Sequence, residues 1–324
     1  MKTNNPLFTI SLVFVMVFSV LLSGCGGNPA ASGSDDLSGN IAVSGAFALY
    51  PMMQRWAEEY TKLHPKVTFD VSAGGAGKGM ADALAGAVDI GMVSRAITPE
   101  EEAKGAYWVA VTKDAVFPTI NEKNPVLQDL LAKGVTQDIL EGIYITGEIT
   151  NWGQAIGKPE VTDEIHVYTR SDAAGAPEVW AKYLGDKKQE DLLGVGVFGD
   201  PGLLDAVAKD PLGIGFNNLG YAYDAANGKP VAGTLTLPID GNENGVADSD
   251  ELLETKTEAI EMVATGKYPS PPARPLNLVT NGKPEGAVKA FIEWILTDGQ
   301  QFVGEAGYVQ LTQEQLAESL GKLK

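Results

Sequence analysis

The chain has 324 residues, of which 44% are hydrophobic and 20% charged, so it can bury one or two sizeable cores. Lysine and arginine number 24 against 42 aspartates and glutamates, which gives a formal net charge of -18. Phosphate-backbone binding needs a basic surface, so this charge argues against a nucleic-acid partner. One cysteine and two histidines allow no internal disulfide and no histidine-rich metal centre.

The N-terminus has the pattern of an export signal. An apolar run over residues 7–22 is too short for a comfortable membrane span. It ends in the small residues Ser23 and Gly24, directly before Cys25. The pattern predicts a lipoprotein signal in residues 1–25 and a lipidated Cys25 that anchors an exported protein to the outer face of the cell membrane. An ordinary signal peptide with a stray thiol is the alternative.

The mature chain opens with a strand, a tight turn and a helix over residues 41–60. Ile41 and Val43 indicate the strand, and Pro51 suits the first turn of a helix, where its missing N–H costs nothing. Apolar residues then recur at spacings of three and four, which predicts a helix with one buried face. The unpaired N–H groups at such a helix start can bind an anion. A purely structural turn is the alternative.

Two further segments repeat this arrangement. A strand over residues 67–71 leads into a glycine-rich turn at residues 72–79 and then a helix. Neither the Walker phosphate loop nor the dinucleotide-binding fingerprint fits there. Gly79 stands where the Walker motif needs serine or threonine after its lysine, and Met80 stands where the fingerprint needs its third glycine. A strand over residues 165–168 leads into a third turn of small residues, before a helix that begins at proline.

Two arginines accompany these turns. Arg95 ends the strand predicted over residues 89–95, and Arg170 follows the strand before the third turn. An arginine at a strand end can point into a cleft. The alternative for Arg95 is a surface position paired with the acidic residues 100–102.

The remaining segments continue an α/β alternation. Residues 107–112 predict a strand that crosses into a second lobe, and residues 213–216 a short strand that could return the chain to the first. Residues 143–146 continue the alternation, and residues 252–263 and 285–296 predict helices.

One separate motif fits a calcium loop. Residues 240–251 match the twelve-residue EF-hand loop, with a glycine at its sixth position. The predicted Ca²⁺ ligands are Asp240, Asn242, Asn244, the carbonyl of Val246, Asp248 and Glu251. A strand precedes the loop, so this would be a single calcium loop that has the exit helix of an EF-hand but not its entering helix. A solvated acidic turn is the alternative.

Together these motifs resemble the substrate-binding lipoproteins of ABC phosphate importers, within the type II periplasmic-binding-protein superfamily. The resemblance covers residues 40–311. The matching segments, in chain order, are residues 44–48, 74–79, 89–95, 143–152 and 170–176. It implies an α/β fold of two lobes joined by two crossings, with an oxyanion, phosphate first, held between the lobes and passed to a permease.

The same resemblance assigns the anion-binding positions. They are Ala46, Phe47, Ala48, Ala76, Gly77, Ser94, Arg95, Arg170, Ala174, Gly175 and Ala176. The family usually offers hydroxyl donors in these loops, whereas this chain keeps Ser94 as its obvious hydroxyl. Each lost hydroxyl would cost about 1 kcal/mol of anion binding. Backbone N–H groups and the forked donors of Arg95 and Arg170 would then have to hold the ligand.

The expected organisation follows from the resemblance. Residues 1–25 are the signal, residues 26–39 a flexible tether, residues 40–112 and 222–324 the first lobe, and residues 113–221 the second. We expect a monomeric receptor. A receptor for another anion, such as an organic phosphate or carboxylate, and a surface or signalling module remain alternatives. A secreted phosphatase is not expected, because the chain has no Gly-x-Ser-x-Gly motif and only two isolated histidines.

Overall fold

The computed structural model describes residues 37–324. The predicted signal, the lipidation of Cys25 and most of the tether lie outside the described residues. The first strand begins at Gly39, the last residue of the range predicted for the tether. Among the helices of the described part, none is both long and apolar enough to cross a membrane.

The described residues form ten strands and thirteen α-helices. The strands are β1 (Gly39–Gly45), β2 (Val67–Ala73), β3 (Ile90–Val93), β4 (Ala106–Asp114), β5 (Val116–Asn121), β6 (His166–Arg170), β7 (Val195–Val197), β8 (Gly213–Asn218), β9 (Thr234–Thr236) and β10 (Arg274–Asn281). The helices are α1 (Tyr50–Leu63), α2 (Ala76–Leu84), α3 (Pro99–Ala103), α4 (Leu127–Lys133), α5 (Gln137–Glu141), α6 (Trp152–Ile156), α7 (Gly175–Tyr183), α8 (Gly199–Lys209), α9 (Leu219–Ala222), α10 (Lys256–Thr265), α11 (Gly286–Ile295), α12 (Gln301–Glu305) and α13 (Gln313–Leu323).

The first lobe is built on a five-stranded sheet with the order β2-β1-β3-β10-β4. β1 pairs in parallel with β2 and β3, while β10 runs antiparallel to β3 and β4. The apolar face predicted for α1 is buried, with Trp56 and Tyr60 almost inaccessible. Tyr60 packs edge-on against Phe291 of α11, with ring centroids 4.9 Å apart, so α1 and α11 share one core.

The second lobe has its own five-stranded sheet, in the order β7-β6-β8-β5-β9. β6 is parallel to β7 and β8, and β5 is antiparallel to β8 and β9. Its core contains Trp180, which stacks on Phe216 with ring centroids 5.6 Å apart. Two sheets with separate cores confirm the predicted two-lobe α/β fold.

The sheet geometry brings loops from different parts of the chain together. The β1–β2 register places Gly45 beside Ala73, so these parallel strands end at the same edge. The segments that follow them, a 3-10 turn at Phe47–Leu49 and helix α2, therefore start next to each other. β6 ends at Arg170 and is followed by α7 in the second lobe.

The crossings between the lobes differ in part from the prediction. The first follows β4, whose end at Asp114 lies close to the expected boundary. The second comes later than residue 222, because β9 pairs with β5 of the second sheet and the chain rejoins the first sheet only at β10. Residues 213–216 do not return the chain either, since they lie in β8 between β5 and β6.

Two local predictions also need correction. Residues 143–146 lie in a π-helical turn, Gly142–Thr146, that continues α5 and is not a strand. The helix expected from residue 252 begins at Lys256, because Thr255 caps it: its hydroxyl accepts from the Glu258 N–H, and the Glu258 carboxylate accepts from the Thr255 N–H.

Candidate functional site

The starts of three helices meet between the two lobes. The Gly77 N–H, in the first turn of α2, donates across the cleft to the Ala173 carbonyl just before α7, at 3.1 Å. The Phe47 ring, in the turn before α1, lies 5.3 Å from the Arg170 guanidinium at the end of β6. The three turns predicted from the sequence therefore lie around a common gap.

The lobes approach closely at Gly175 and Ser94. A Cβ placed on Gly175 would lie 2.7 Å from the Ser94 carbonyl carbon, so only glycine permits this contact. Ser94 is 2% exposed, and its hydroxyl forms no hydrogen bond with another residue in the described range. The hydroxyl expected from the sequence is thus present at the gap and available as a donor.

Eight of the predicted anion-binding residues stand at the helix starts, and five of them have a backbone N–H with no acceptor within residues 37–324. These five are Phe47, Ala48, Ala76, Gly175 and Ala176. Ala76 and Ala176 are each only 1% exposed. A buried N–H without a partner costs about as much free energy as a lost hydrogen bond. At a helix start the dipole makes an anion the favoured acceptor.

The other three residues already have acceptors. The Ala46 N–H donates to the Met92 carbonyl at 2.9 Å, within the first lobe. The Ala174 N–H donates to Oε1 of Gln189 at 3.2 Å, so this side chain caps the start of α7. With Gly77 bonded across the cleft, these three positions shape the gap but do not offer free donors in this closed arrangement.

Arg170 is buried in a cluster with two aspartates. Its Nε and Nη2 donate to Asp172 at 2.8 and 2.5 Å, and its Nη1 donates to Asp200 at 2.6 Å. Burial lowers the pKa of Arg170, but the two carboxylates raise it by more, so the guanidinium stays charged. A guanidinium has five N–H groups, so two remain beyond these three bonds. The positive charge is balanced within the protein.

Arg95 joins the two lobes. It donates to both carboxylate oxygens of Glu101, at 2.6 and 2.9 Å, and its Nε lies 3.0 Å from Glu178 of α7. Both expectations for Arg95 hold in part, because it faces the cleft and also pairs with an acidic neighbour. Burial is the main cause of a raised pKa at Glu178, against the lowering effect of Arg95.

A buried polar network lies beneath the gap and was not found from the sequence. Arg274 donates to the Ser94 carbonyl at 3.2 Å and to the Asn218 side chain. Asn218 donates to both oxygens of Asp200, which also holds Arg170. Arg274 Nη1 lies 3.5 Å from Oδ2 of Asp114 at the first crossing, and burial raises the pKa of Asp114 to about 6. No local motif marks Arg274, Asn218, Asp200 and Asp114, because these four residues come from four separate segments.

The predicted calcium loop is folded around its own polar groups. Asp240 is buried and accepts from the Gly245 N–H at 2.8 Å, while Glu251 accepts from the Gly241 N–H at 2.9 Å. The amides of Asn242 and Asn244 lie 2.8 and 2.9 Å from Oδ2 of Asp248. Within residues 37–324, no three His, Cys, Asp or Glu side chains are grouped closely enough to hold a metal ion.

Comparisons with known proteins agree with this architecture. The "Phosphate-binding protein PstS" of Bacillus subtilis is 27% identical over 322 residues, which cover 96% of each chain. The protein of the same description from Methanocaldococcus jannaschii is 28% identical and covers 91% of this chain and 89% of its own. These relatives are described as binding proteins.

Solved structures share the fold. An ABC-type phosphate transport receptor from Vibrio cholerae aligns with a TM-score of 0.61 at 22% identity, over 84% of this chain and 100% of its own. A Clostridium perfringens protein assigned as a phosphate ABC transporter substrate-binding protein, solved with bound phosphate, aligns with a TM-score of 0.69 at 24% identity, over 85% and 100%. A family model described as a PBP superfamily domain matches residues 30–299. This chain therefore belongs to the periplasmic-binding-protein (PBP) superfamily.

Proposed function

We propose that this protein is the extracytoplasmic receptor of an ABC importer, anchored by a lipid on Cys25, and that it binds phosphate or a related oxyanion between its lobes. Membership of the PBP superfamily supports the receptor class. Two relatives that align with this chain over nearly their whole length are named phosphate-binding proteins, which supports phosphate as the first ligand to test.

The observation that carries this proposal is the set of free N–H groups at the three helix starts. They come from both lobes and have no acceptor in the described chain. Hydrogen bonds to a charged group contribute about 1.5–3 kcal/mol each, so several such bonds can hold an oxyanion without side-chain hydroxyls. The Ser94 hydroxyl and the two remaining N–H groups of Arg170 would add to them.

Contacts across the cleft support binding by lobe closure. The Gly77–Ala173 hydrogen bond, the Arg95–Glu178 ion pair and the edge-on packing of Phe47 on Phe198 all join one lobe to the other. A ligand that accepts hydrogen bonds from both lobes binds the closed state better than the open one, and so shifts the population toward it. Closure would then present the loaded receptor to the permease.

Removing one free N–H tests the proposal. Ala76→Pro places proline at the first position of α2, where a helix tolerates it, and deletes one of the buried donors. We expect isothermal titration to show phosphate binding weakened by about tenfold or more, since a charge-assisted hydrogen bond is lost. The melting temperature without ligand should change little.

The matched control is Gln313→Pro, at the first position of α13, which makes the same change outside the site. It should bind phosphate as the wild type does. If the wild type binds neither phosphate nor sulfate, or if both proline variants bind equally well, the amide site is not the anion site.

We also propose that residues 240–251 bind one Ca²⁺ ion with a structural role. The twelve-residue spacing supports this, and so does the positive φ of Gly245, +78°, at the sixth position where the loop turns sharply.

Calcium should therefore stabilise the protein. With an affinity in the range of extracellular modules, about 10⁻⁴–10⁻³ M, calcium at about 1 mM would add about 0.4–1.4 kcal/mol to the free energy of unfolding. Differential scanning calorimetry in calcium and in chelator measures this. Glu251→Gln should remove the difference, and Glu254→Gln, outside the loop, should keep it. Equal melting temperatures in both buffers would show that the loop is only a polar turn.

A further inference from the structure

A cavity of about 380 Å³ opens beside the helix starts, at the seam between the lobes. The first lobe contributes Gly77 and Arg95, and α7 with the segments on either side of it contributes the rest of the wall. Gly77, Arg95 and Ala174 are at once predicted anion-binding residues and lining residues of this cavity. Gly77 directly follows Ala76 and Ala174 directly precedes Gly175, whose N–H groups have no acceptor in the described chain, so the cavity adjoins the proposed anion site.

The wall of the cavity has an excess of positive charge, unlike the protein as a whole. It contains four basic residues, Arg95, Lys182, Lys187 and Lys188, and only two acidic ones, Glu178 and Glu190. The chain as a whole has a net charge of -18. A local excess of positive charge within a negative protein raises the concentration of anions at that place.

The three lysines are the available cations there. Arg95 already donates hydrogen bonds to Glu101 and to the Ala96 carbonyl, and it forms an ion pair with Glu178. Lys182, Lys187 and Lys188 are exposed, and none of them forms an ion pair with an acidic residue of the described chain. A lysine ammonium is a mobile point charge that can adjust to a carboxylate or a phosphoryl group.

The volume exceeds what a single oxyanion needs. Pockets for small organic ligands occupy about 300–1,000 Å³, and this cavity falls in that range. The starts of α2 and α7 are in direct contact across the cleft, at Gly77 and Ala173, so no part of a ligand fits between these two residues. A ligand larger than a single oxyanion has room in the cavity beside them.

We propose that the ligand is an organic anion with two acidic groups, a phosphoryl or phosphonyl group and a second, carboxylate-like group. The first group binds the free amides at the helix starts, and the second binds Lys182, Lys187 and Lys188 in the cavity. This inference rests on the proposed anion receptor and specifies its substrate class.

A pair of size-matched phosphonates tests it. Propylphosphonate has an uncharged tail, and 3-phosphonopropionate has a carboxylate at the same place. Titrated into the full-length protein, 3-phosphonopropionate should bind about tenfold tighter or better, because its second charge reaches the lysines. Inorganic phosphate is titrated in parallel to test the anion site itself.

A triple variant, Lys182→Gln with Lys187→Gln and Lys188→Gln, locates the effect. It should lose the advantage of 3-phosphonopropionate and keep the wild-type affinity for propylphosphonate and phosphate. The control variant removes the same total charge at three exposed lysines outside the cavity, by Lys104→Gln, Lys123→Gln and Lys229→Gln. It should keep the advantage.

The outcomes separate the two proposals. If phosphate binds but the two phosphonates bind equally, the cavity does not select a second acidic group and this inference is overturned, while the anion receptor stands. If 3-phosphonopropionate binds tightly and the control triple variant weakens it as much as the cavity variant does, the effect is one of overall charge and the inference is again overturned. If no anion binds at all, both proposals are overturned.

Discussion

Gly175→Ala is expected to weaken anion binding by about 5- to 150-fold without unfolding the protein. Gly175 begins α7, where alanine is favoured over glycine by about 0.5–1 kcal/mol, so the second lobe should be as stable or slightly more stable. Its new methyl group would collide with Ser94 of the other lobe. Overpacking of this kind costs about 1–3 kcal/mol, and here the closed state alone bears that cost.

Three measurements distinguish a closure defect from a folding defect. Titration calorimetry gives the affinity, thermal unfolding gives the stability, and small-angle scattering gives the radius of gyration, which should increase in the variant. Gly304→Ala is the matched control, because it changes a helical glycine whose added Cβ would meet no atom within 4 Å. Should Gly175→Ala bind as tightly as Gly304→Ala, the contact between Gly175 and Ser94 does not form in the bound state.

Arg170→Ala is expected to destabilise the second lobe by about 3–5 kcal/mol, beyond any effect on binding. The Arg170 side chain is 1% exposed, and the side chains of its partners Asp172 and Asp200 are 5% and 0% exposed. Removing the cation leaves two buried carboxylates without their counter-charge, which is the costly way to break a buried ion pair. The melting temperature should fall by roughly 10 °C.

A second substitution tests the cause of that loss. In the double variant Arg170→Ala with Asp200→Asn, one of the uncompensated charges is gone, so urea unfolding should show part of the stability restored. Arg55→Ala is the control, because Arg55 pairs with Glu59 at the surface and should contribute less than about 1 kcal/mol. Equal losses for Arg170→Ala and Arg55→Ala would mean that the buried cluster does not stabilise the fold.

The arrangement around Arg170 also bears on selectivity. Because two aspartates balance its charge, the cluster has no excess positive charge to offer an anion. Binding would depend on the directions of N–H groups and less on net charge, which favours a ligand of matching geometry. The lysines of the neighbouring cavity are the place where net charge could add to affinity.

Features that depend on neighbouring residues can be predicted from the amino-acid sequence alone. A strand, a turn of small residues and an apolar helix face are local patterns, so the sequence locates three strand–turn–helix segments, over residues 41–60, 67–84 and 165–183. The two-lobe α/β fold is implied by the family resemblance that the order of those motifs supports. The same patterns place residues 213–216 in the wrong lobe, because a short apolar strand does not specify which sheet it joins.

Which polar groups are free and which are paired depends on the folded arrangement of the two lobes. Whether the N–H of Ala76 or of Gly77 has an acceptor depends on Ala173, almost a hundred residues later in the chain and in the other lobe. The partners of Arg170 and Arg95, including Asp200 and Glu178, likewise come from separate segments. Hydrogen bonds and ion pairs across a cleft form only when the lobes close, and no local pattern in the sequence records that.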